Sequence, residues 1–293
     1  MSAEHELQLY ADTRANAEQA ANAAIADVVR IEAKYSRYRD DSVTTRINRA
    51  AGAASVAIDA ETAALLRYAD HCFQLSEGRF DITSGVLRRI WNFAARPPRL
   101  PSAEEIANAQ ARIGWLRVEW DANAVRLPQA GMEIDFGGIG KEYAADRAAT
   151  ICIDHGITQG LVNLGGDVRA IGGQPDGSPW RIGIRDPRAP ERVIAGLDVM
   201  SGAVATSGDY ERYFDLDGRR YCHILSPRTG APVAHWRSVS VVAPLCVVAG
   251  TCATIAMLLE ERALEFLASQ RFDFCAVDRE GKLHRPAATA ANT

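Results

Sequence analysis

The spacing of apolar residues predicts helices in the first part of the chain. Across residues 11–38, alanine, valine, isoleucine and tyrosine recur every three or four positions, which indicates one long amphipathic helix. Two further helices are predicted over 60–75 and 103–113. Each follows a residue suited to capping a helix start, Asp59 for the first and Ser102 for the second.

From residue 116 onward the pattern changes to short alternating runs such as GLVNL and WRIGI, separated by glycine, proline and aspartate turns. Such runs predict strands. Helical spacing interrupts them over 142–155, 248–259 and 261–269. Helices first and strands afterwards predict an α+β architecture instead of a regular βαβ alternation. We find no internal repeat and no clear linker, which favours one compact domain.

Residues 238–259 carry no charged side chain and are long enough to suggest a membrane span. Pro244 and Gly250 interrupt the stretch, and several serine, threonine and cysteine residues dilute it. We therefore predict a buried strand, a turn and a buried helix, with no membrane insertion.

Composition and charge exclude several classes of protein. The 33 basic and 37 acidic residues give a net charge of −4, and no basic stripe is interleaved with aromatic residues, so nucleic-acid binding is not expected. The six cysteines are scattered without zinc-site spacing, which predicts reduced, buried thiols. The first ten residues do not resemble a secretory signal peptide, and the expected location is therefore cytoplasmic.

The strongest chemical motif is the segment 134–143, IDFGGIGKEY. It predicts a strand, a glycine-rich turn and a helix that begins with Lys141, which is the arrangement of an anion site. It is not a Walker A loop, because Asp135 stands at the first glycine position and Glu142 at the Ser/Thr position. The third glycine of a dinucleotide-binding fingerprint is also missing. A purely structural turn is the alternative.

Three other segments carry candidate groups. The turn at 163–167 ends in Asp167, which indicates either a ligand-binding turn or a tight hairpin closed by that aspartate. His223 is predicted on a strand with its neighbours facing the opposite side, so its imidazole is either a general base or a structural group. Asp81 and Thr83 face one way if the chain is extended there, but an Asx turn would have the same sequence pattern.

In this order, the segments resemble the ApbE family, the FAD:protein FMN transferases. The resemblance covers most of the chain and rests on six motifs: SRYRDDSVTTRIN at 36–48, GRFDITSGVLRRIW at 78–91, DFGGIGKEYAAD at 135–146, LVNLGGDVRAIGG at 161–173, ATSGDY at 205–210 and HILSPRTG at 223–230.

The resemblance implies a single bilobed domain over 1–293, with a mixed, largely antiparallel sheet flanked by helices and with FAD bound in a cleft. The implied reaction transfers FMN from FAD to a threonine or serine hydroxyl of an acceptor flavoprotein and releases AMP, with Mg²⁺ on the pyrophosphate. His223 and Lys141 are the implied catalytic residues. The implied FAD-binding residues are Met1, Tyr38, Arg79, Phe80, Asp81, Asp135, Lys141, Gly166, Asp167, Thr206 and Ile224.

The implied metal ligands are the carbonyl group of Gly138 and the side chain of Thr254. The family usually has an aspartate where this chain has Gly250, and a glycine where it has Glu142. Our hypothesis is that Glu142 or Asp209 supplies the missing carboxylate, whereas a surface glutamate in the first turn of a helix is the alternative for Glu142. A degenerate metal site would instead predict an FAD-binding module without transfer, or an FAD pyrophosphate hydrolase.

Overall fold

A computed structural model describes residues 4–286. The helices are α1 (Arg14–Tyr35), α2 (Val43–Arg49), α3 (Ala60–Leu75), α4 (Ala103–Gln110), α5 (Gly140–Asp154), α6 (Cys246–Leu259) and α7 (Ala263–Gln270). Short 3-10 helices cover Ile82–Arg89, Trp115–Arg117 and Glu260–Arg262. The strands are β1 (His5–Tyr10), β2 (Val56–Ala57), β3 (Glu119–Trp120), β4 (Ala124–Arg126), β5 (Gln159–Leu164), β6 (Asp167–Ile171), β7 (Trp180–Arg185), β8 (Val193–Val199), β9 (Gly202–Gly208), β10 (Tyr213–Leu216), β11 (Arg219–Cys222), β12 (Trp236–Ala243), β13 (Phe274–Asp278) and β14 (Leu283–His284).

These elements form two compact units. The first comprises the described parts of 1–30, 141–210 and 235–293, and the second comprises 31–140 and 211–234. Within residues 4–286, no helix is both long and apolar enough to cross a membrane.

The first unit is built on a seven-stranded sheet in the order β1-β5-β6-β9-β12-β13-β14, and every neighbouring pair in it is antiparallel. The predicted α+β class with a largely antiparallel sheet is therefore confirmed, although this sheet has no parallel pair and is not mixed. Helix α6 packs on β9 and β12. This helix is apolar on all sides and most of its residues are buried, which is the pattern of a core helix.

Asp146 connects two helices of this unit. It lies on α5, and its two carboxylate oxygens accept the backbone N–H groups of Cys246 and Val247, at 2.8 and 2.9 Å, at the start of α6. A side chain from another helix thus satisfies amide donors that would otherwise lack partners at a buried helix end. The carboxylate also lies close to Arg169, 3.4 Å from its Nε.

The second unit contains α2, α3, α4, the three-stranded sheet β2-β4-β3 and the hairpin β10-β11. Trp91 packs with Phe93, Phe214 and Tyr221 in an aromatic cluster of this unit. The indole of Trp91 donates a hydrogen bond to the carbonyl of Gly230 at 2.7 Å. This satisfies the one polar group of a buried ring.

Most predicted elements are found with shifted ends. The capping groups of Asp59 and of Ser102 with Glu105 are confirmed. The charge-free stretch folds as β12, a turn and α6, as predicted. Two predictions are wrong: residues 134–136 form no strand, and β11 ends at Cys222, one residue before His223. The sequence patterns did not predict the strand β1, the helix α2 or the 3-10 helix at 82–89.

Candidate functional site

The first unit brings Lys141 and Asp167 together. Lys141 lies in the first turn of α5, and its ammonium is 2.8 Å from Asp167 Oδ2 and 3.3 Å from the carbonyl of Gly165. Asp167 begins β6 directly after Gly165 and Gly166, whose φ angles of 60° and 92° favour glycine. The amide of Thr206 approaches Asp167 Oδ1 at 3.4 Å. Several of the predicted FAD-binding residues therefore meet at one place.

Glu142 is the second buried carboxylate of this region. The residue is 7% exposed, and its Oε2 has no hydrogen-bond partner within residues 4–286. Burial raises the pKa of Glu142, and the negative charge of nearby Asp167 raises it further. Burial also raises the pKa of Asp167, against the opposing effect of Lys141. The two carboxylates, when ionised, therefore carry more negative charge than the ammonium beside them balances.

Gly250 lies directly against the side chain of Glu142. A Cβ atom added at Gly250 would lie 2.6 Å from Glu142 Cγ and 3.1 Å from Oε1, closer than packed atoms allow. The glutamate therefore fills the space into which a side chain at 250 would project. The alternative of a surface position for Glu142 is wrong, because this residue is buried.

Thr254 follows Gly250 by one helical turn on α6, so both residues share a face of the helix. Its hydroxyl forms a hydrogen bond of 2.7 Å with Ser207 on β9. Asp209 is engaged elsewhere, because Arg188 binds both of its carboxylate oxygens at 2.7 and 2.6 Å. Of the two candidates for a replacement carboxylate, only Glu142 lies against Gly250.

The residues of this unit fit a Mg²⁺ ion in their chemistry. Mg²⁺ prefers oxygen ligands and is usually held by one or two carboxylates together with substrate phosphates and water. Glu142, Asp167 and Thr254 offer such oxygens, and Glu142 Oε2 is buried without a hydrogen-bond partner among the described residues. Within residues 4–286, no group of three or more His, Cys, Asp and Glu residues is arranged to hold a metal. Hydroxyl groups, carbonyl groups or phosphates would therefore complete the coordination.

In the second unit, Asp135 lies between two arginines. Arg37 Nη1 and Arg88 Nε are 3.0 and 3.2 Å from Asp135 Oδ2, and the Gly137 amide donates to Oδ1 at 2.9 Å. Burial alone would raise the pKa of Asp135, but the charges of Arg88 and Arg37 outweigh it, and the pKa is lowered. This carboxylate is fully balanced by protein groups.

Asp81 has a local structural role. Its Oδ1 accepts hydrogen bonds from the Thr83 amide and hydroxyl at 2.7 and 2.6 Å, and its Oδ2 accepts from the Trp115 amide at 3.2 Å. Burial raises the pKa of Asp81 in spite of these bonds. The Asx turn that the sequence left open is therefore present, at the start of the 3-10 helix over 82–89.

The other predicted residues of this unit are more separated. Phe80 is buried beside Gly138, and a Cβ atom added at Gly138 would lie 3.3 Å from the Phe80 ring. Arg79 pairs with Glu77 at 3.0 Å, and Tyr38 is 77% exposed. Met1 lies outside the described residues.

His223 lies in a bend just after β11 and is half-buried. Its amide donates to the carbonyl of Arg212 at 2.9 Å. The next residue, Ile224, is buried, and its carbonyl accepts the Val233 amide at 3.0 Å. The backbone on both sides of the imidazole is thereby held by hydrogen bonds within the hairpin region.

Sequence reasoning missed Arg37, Arg88 and Asp146. Arg37 and Asp135 are 98 residues apart and Asp146 and Cys246 are 100 apart, so no local spacing relates the partners. The only available signal was their position inside segments that carry the family resemblance: Arg37 in 36–48, Arg88 in 78–91 and Asp146 in 135–146.

Comparison with known proteins agrees with this fold. The ApbE family model matches residues 1–276. A protein named FAD:protein FMN transferase from Vibrio cholerae is 34% identical over 236 residues, covering 79% of this chain and 71% of the relative. One of the same name from Treponema pallidum is 34% identical over 246 residues, covering 78% and 68%.

Two solved structures are similar over nearly their whole length. The ApbE protein of Thermotoga maritima has a TM-score of 0.87 and 34% identity, covering 96% of this chain and 97% of that one. The flavin transferase ApbE of Vibrio cholerae has a TM-score of 0.84 and 27% identity, covering 97% and 94%. The fold is thus the α+β fold of these ApbE structures. The chain belongs to the ApbE family.

Proposed function

We propose that this protein transfers the FMN moiety of FAD to a threonine or serine hydroxyl of an acceptor flavoprotein and releases AMP. The observation that carries the proposal is the meeting of Lys141, Asp167 and the glycine turn before Asp167 in the first unit. A lysine in the first turn of a helix, next to a glycine turn, is an arrangement that can hold a phosphate. The names of the relatives support the same reaction.

The reaction assigns a distinct role to each side chain. The acceptor hydroxyl oxygen bonds to the FMN phosphorus, the bond from that phosphorus to the bridging oxygen breaks, and AMP leaves with the bridging oxygen. Negative charge grows on the phosphoryl and leaving oxygens, and the ammonium of Lys141 stabilises it. His223 accepts the hydroxyl proton, because an imidazole is a suitable base near neutral pH.

FAD contacts are proposed for Tyr38, Arg79, Phe80, Asp81, Asp135, Gly166, Asp167, Thr206 and Ile224. Mg²⁺ would be held by Thr254, the carbonyl of Gly138 and carboxylate oxygen, and it would neutralise charge on the pyrophosphate. We also propose that 1–293 acts as one transferase domain. The continuous match of the family model over 1–276, which takes in residues of both units, supports this. A cytoplasmic location stays a prediction.

The test is incubation with FAD, Mg²⁺ and a set of threonine- and serine-containing candidate acceptor peptides. Covalent FMN is measured by intact mass, and AMP is measured by chromatography. Transfer predicts both products in equal amounts. AMP without covalent flavin would indicate hydrolysis, and intact bound FAD would indicate a binding module; either result contradicts the proposal.

Two substitutions test the assigned roles. His223→Ala and Lys141→Met should each lower the transfer rate by about 100-fold or more, in line with the loss of a general base or of a charge that stabilises the transition state. His71→Ala and Lys282→Met change exposed residues of the same types and should leave the rate unchanged. Full transfer by the His223→Ala protein would remove that residue from the mechanism.

A further inference from the structure

We propose that Glu142 is the carboxylate ligand of the divalent cation in the first unit, and that Gly250 is glycine because the Glu142 side chain occupies the space beside it. This inference rests on the proposed function for the role of the cation. It concerns residues of this chain and is tested by metal binding itself.

The Glu142 carboxylate lies in an environment that favours a cation. The residue is 93% buried, since 7% of it is exposed, and Oε2 has no hydrogen-bond partner within residues 4–286. A buried carboxylate oxygen without a partner is costly, so it is normally matched by a donor or a cation. The position thus calls for a positively charged ligand.

The charged groups around Glu142 also favour a cation. Asp167 is 2% exposed and lies close enough to Glu142 for each charge to affect the other. Lys141 is the cation placed on Asp167, at 2.8 Å. When both buried carboxylates are ionised, the one ammonium leaves one negative charge, which a divalent cation would balance together with the phosphates it binds.

The packing on α6 leaves space for the Glu142 side chain. The missing Cβ of Gly250 would lie 2.6 Å from Glu142 Cγ, so any other residue at 250 would displace the glutamate. The hydroxyl of Thr254 is one turn away on the same helix face, paired with Ser207 at 2.7 Å. Gly250 thus allows the Glu142 carboxylate to reach the face of α6 that also carries the Thr254 hydroxyl.

The experiment uses Mn²⁺ as a paramagnetic probe, and bound Mn²⁺ is measured from the loss of the free-ion EPR signal, with and without FAD. The wild-type protein should bind Mn²⁺. Glu142→Gln, which keeps the shape but not the charge, should weaken the affinity at least about tenfold. Glu265→Gln is the matched control, because Glu265 is a glutamate of the same unit with a side chain that is 79% exposed.

A double variant provides the second measurement. Glu142→Ala with Gly250→Asp removes the glutamate and places a carboxylate on α6, and it should bind Mn²⁺ more tightly than Glu142→Ala alone. Circular dichroism verifies that each variant is folded. The inference is overturned if the wild type binds no Mn²⁺ in either condition, or if Glu142→Gln binds it as tightly as the wild type. Mn²⁺ binding through Glu142 without FMN transfer would leave the inference standing and reject the proposed function instead.

Discussion

Two buried carboxylates of this protein have opposite electrostatic environments. Asp135, in the second unit, lies between Arg37 and Arg88, and its pKa is lowered. Glu142, in the first unit, shares its surroundings with Asp167, and its pKa is raised. The side chain of Asp135 is 10% exposed and Glu142 is 7% exposed, so burial does not separate them. The difference lies in the charges that each one meets.

This contrast separates a carboxylate whose charge the protein compensates from one whose charge it leaves uncompensated. The charge of Asp135 is compensated by the two arginines that contact it, so this carboxylate attracts no further cation. The carboxylates around Lys141 have an excess of negative charge, which is the condition under which a pKa rises and a cation is attracted. A cation is therefore expected at Glu142 and not at Asp135.

The largest loss in the free energy of unfolding is expected from removing the Asp135 carboxylate. Asp135→Ala leaves Arg37 and Arg88 without their shared buried partner and should lower the free energy of unfolding by about 3 kcal/mol. Urea denaturation followed by circular dichroism measures this change. A loss below about 1 kcal/mol would mean that the arginines find other partners, and the contrast with Glu142 would be weaker than described.

In metal-free buffer, Glu142→Gln should change the free energy of unfolding in the opposite direction, which is a gain. Burial and the charge of Asp167 raise its folded-state pKa from 4.5 to about 8. Folding therefore takes up a proton between these values, and the stability that is fully present below pH 4.5 is lost as the pH rises through about 8. Glu142→Gln removes this penalty, so the variant should have a higher free energy of unfolding than the wild type, most clearly near the upper end of this range.

The pH dependence separates charge from packing. The gain from Glu142→Gln should shrink towards zero as the pH falls below 4.5, the ordinary pKa of a glutamate, because the side chain is then protonated in the unfolded chain as well as in the folded protein. Urea midpoints measured across the interval from 4.5 to about 8 test this. A gain that is equal at all pH values would indicate a packing effect instead.

The smallest effect is expected at an exposed pair. Arg99 binds Glu105 with two contacts of 2.7 and 2.9 Å, but their side chains are 63% and 37% exposed. Solvent screens such pairs, so Arg99→Ala should leave the urea midpoint unchanged within error. A clear loss of stability would show that close contact alone, without burial, governs the behaviour of ion pairs here.

The sequence predicted most of the fold because its patterns are local. The capping residues Asp59 and Ser102 mark helix starts, and the alternating runs mark β5, β7 and β8. Residues 134–136, which form no strand, were predicted as one because their local pattern is the same. Whether an extended segment pairs with a neighbour depends on distant residues.

The sequence predicted the individual motifs of the site but not the contacts between them. The motif around Lys141 and the turn before Asp167 were visible separately, and their contact at 2.8 Å follows from the tertiary structure. The sequence named both Glu142 and Asp209 as replacement carboxylates. Only the tertiary structure separates them, because the partner of Asp209 is Arg188, 21 residues away in the chain.

The cap that Asp146 places on α6 has a consequence for the precision of the site. Asp146 stands one turn after Glu142 on α5, and Cys246 stands one turn before Gly250 on α6. The two hydrogen bonds at the cap therefore fix where α6 begins relative to α5, and this position decides whether the glutamate reaches the space beside Gly250. A shift of a single residue, about 1.5 Å along a helix axis, would bring the glutamate against a side chain instead of the open side of the glycine.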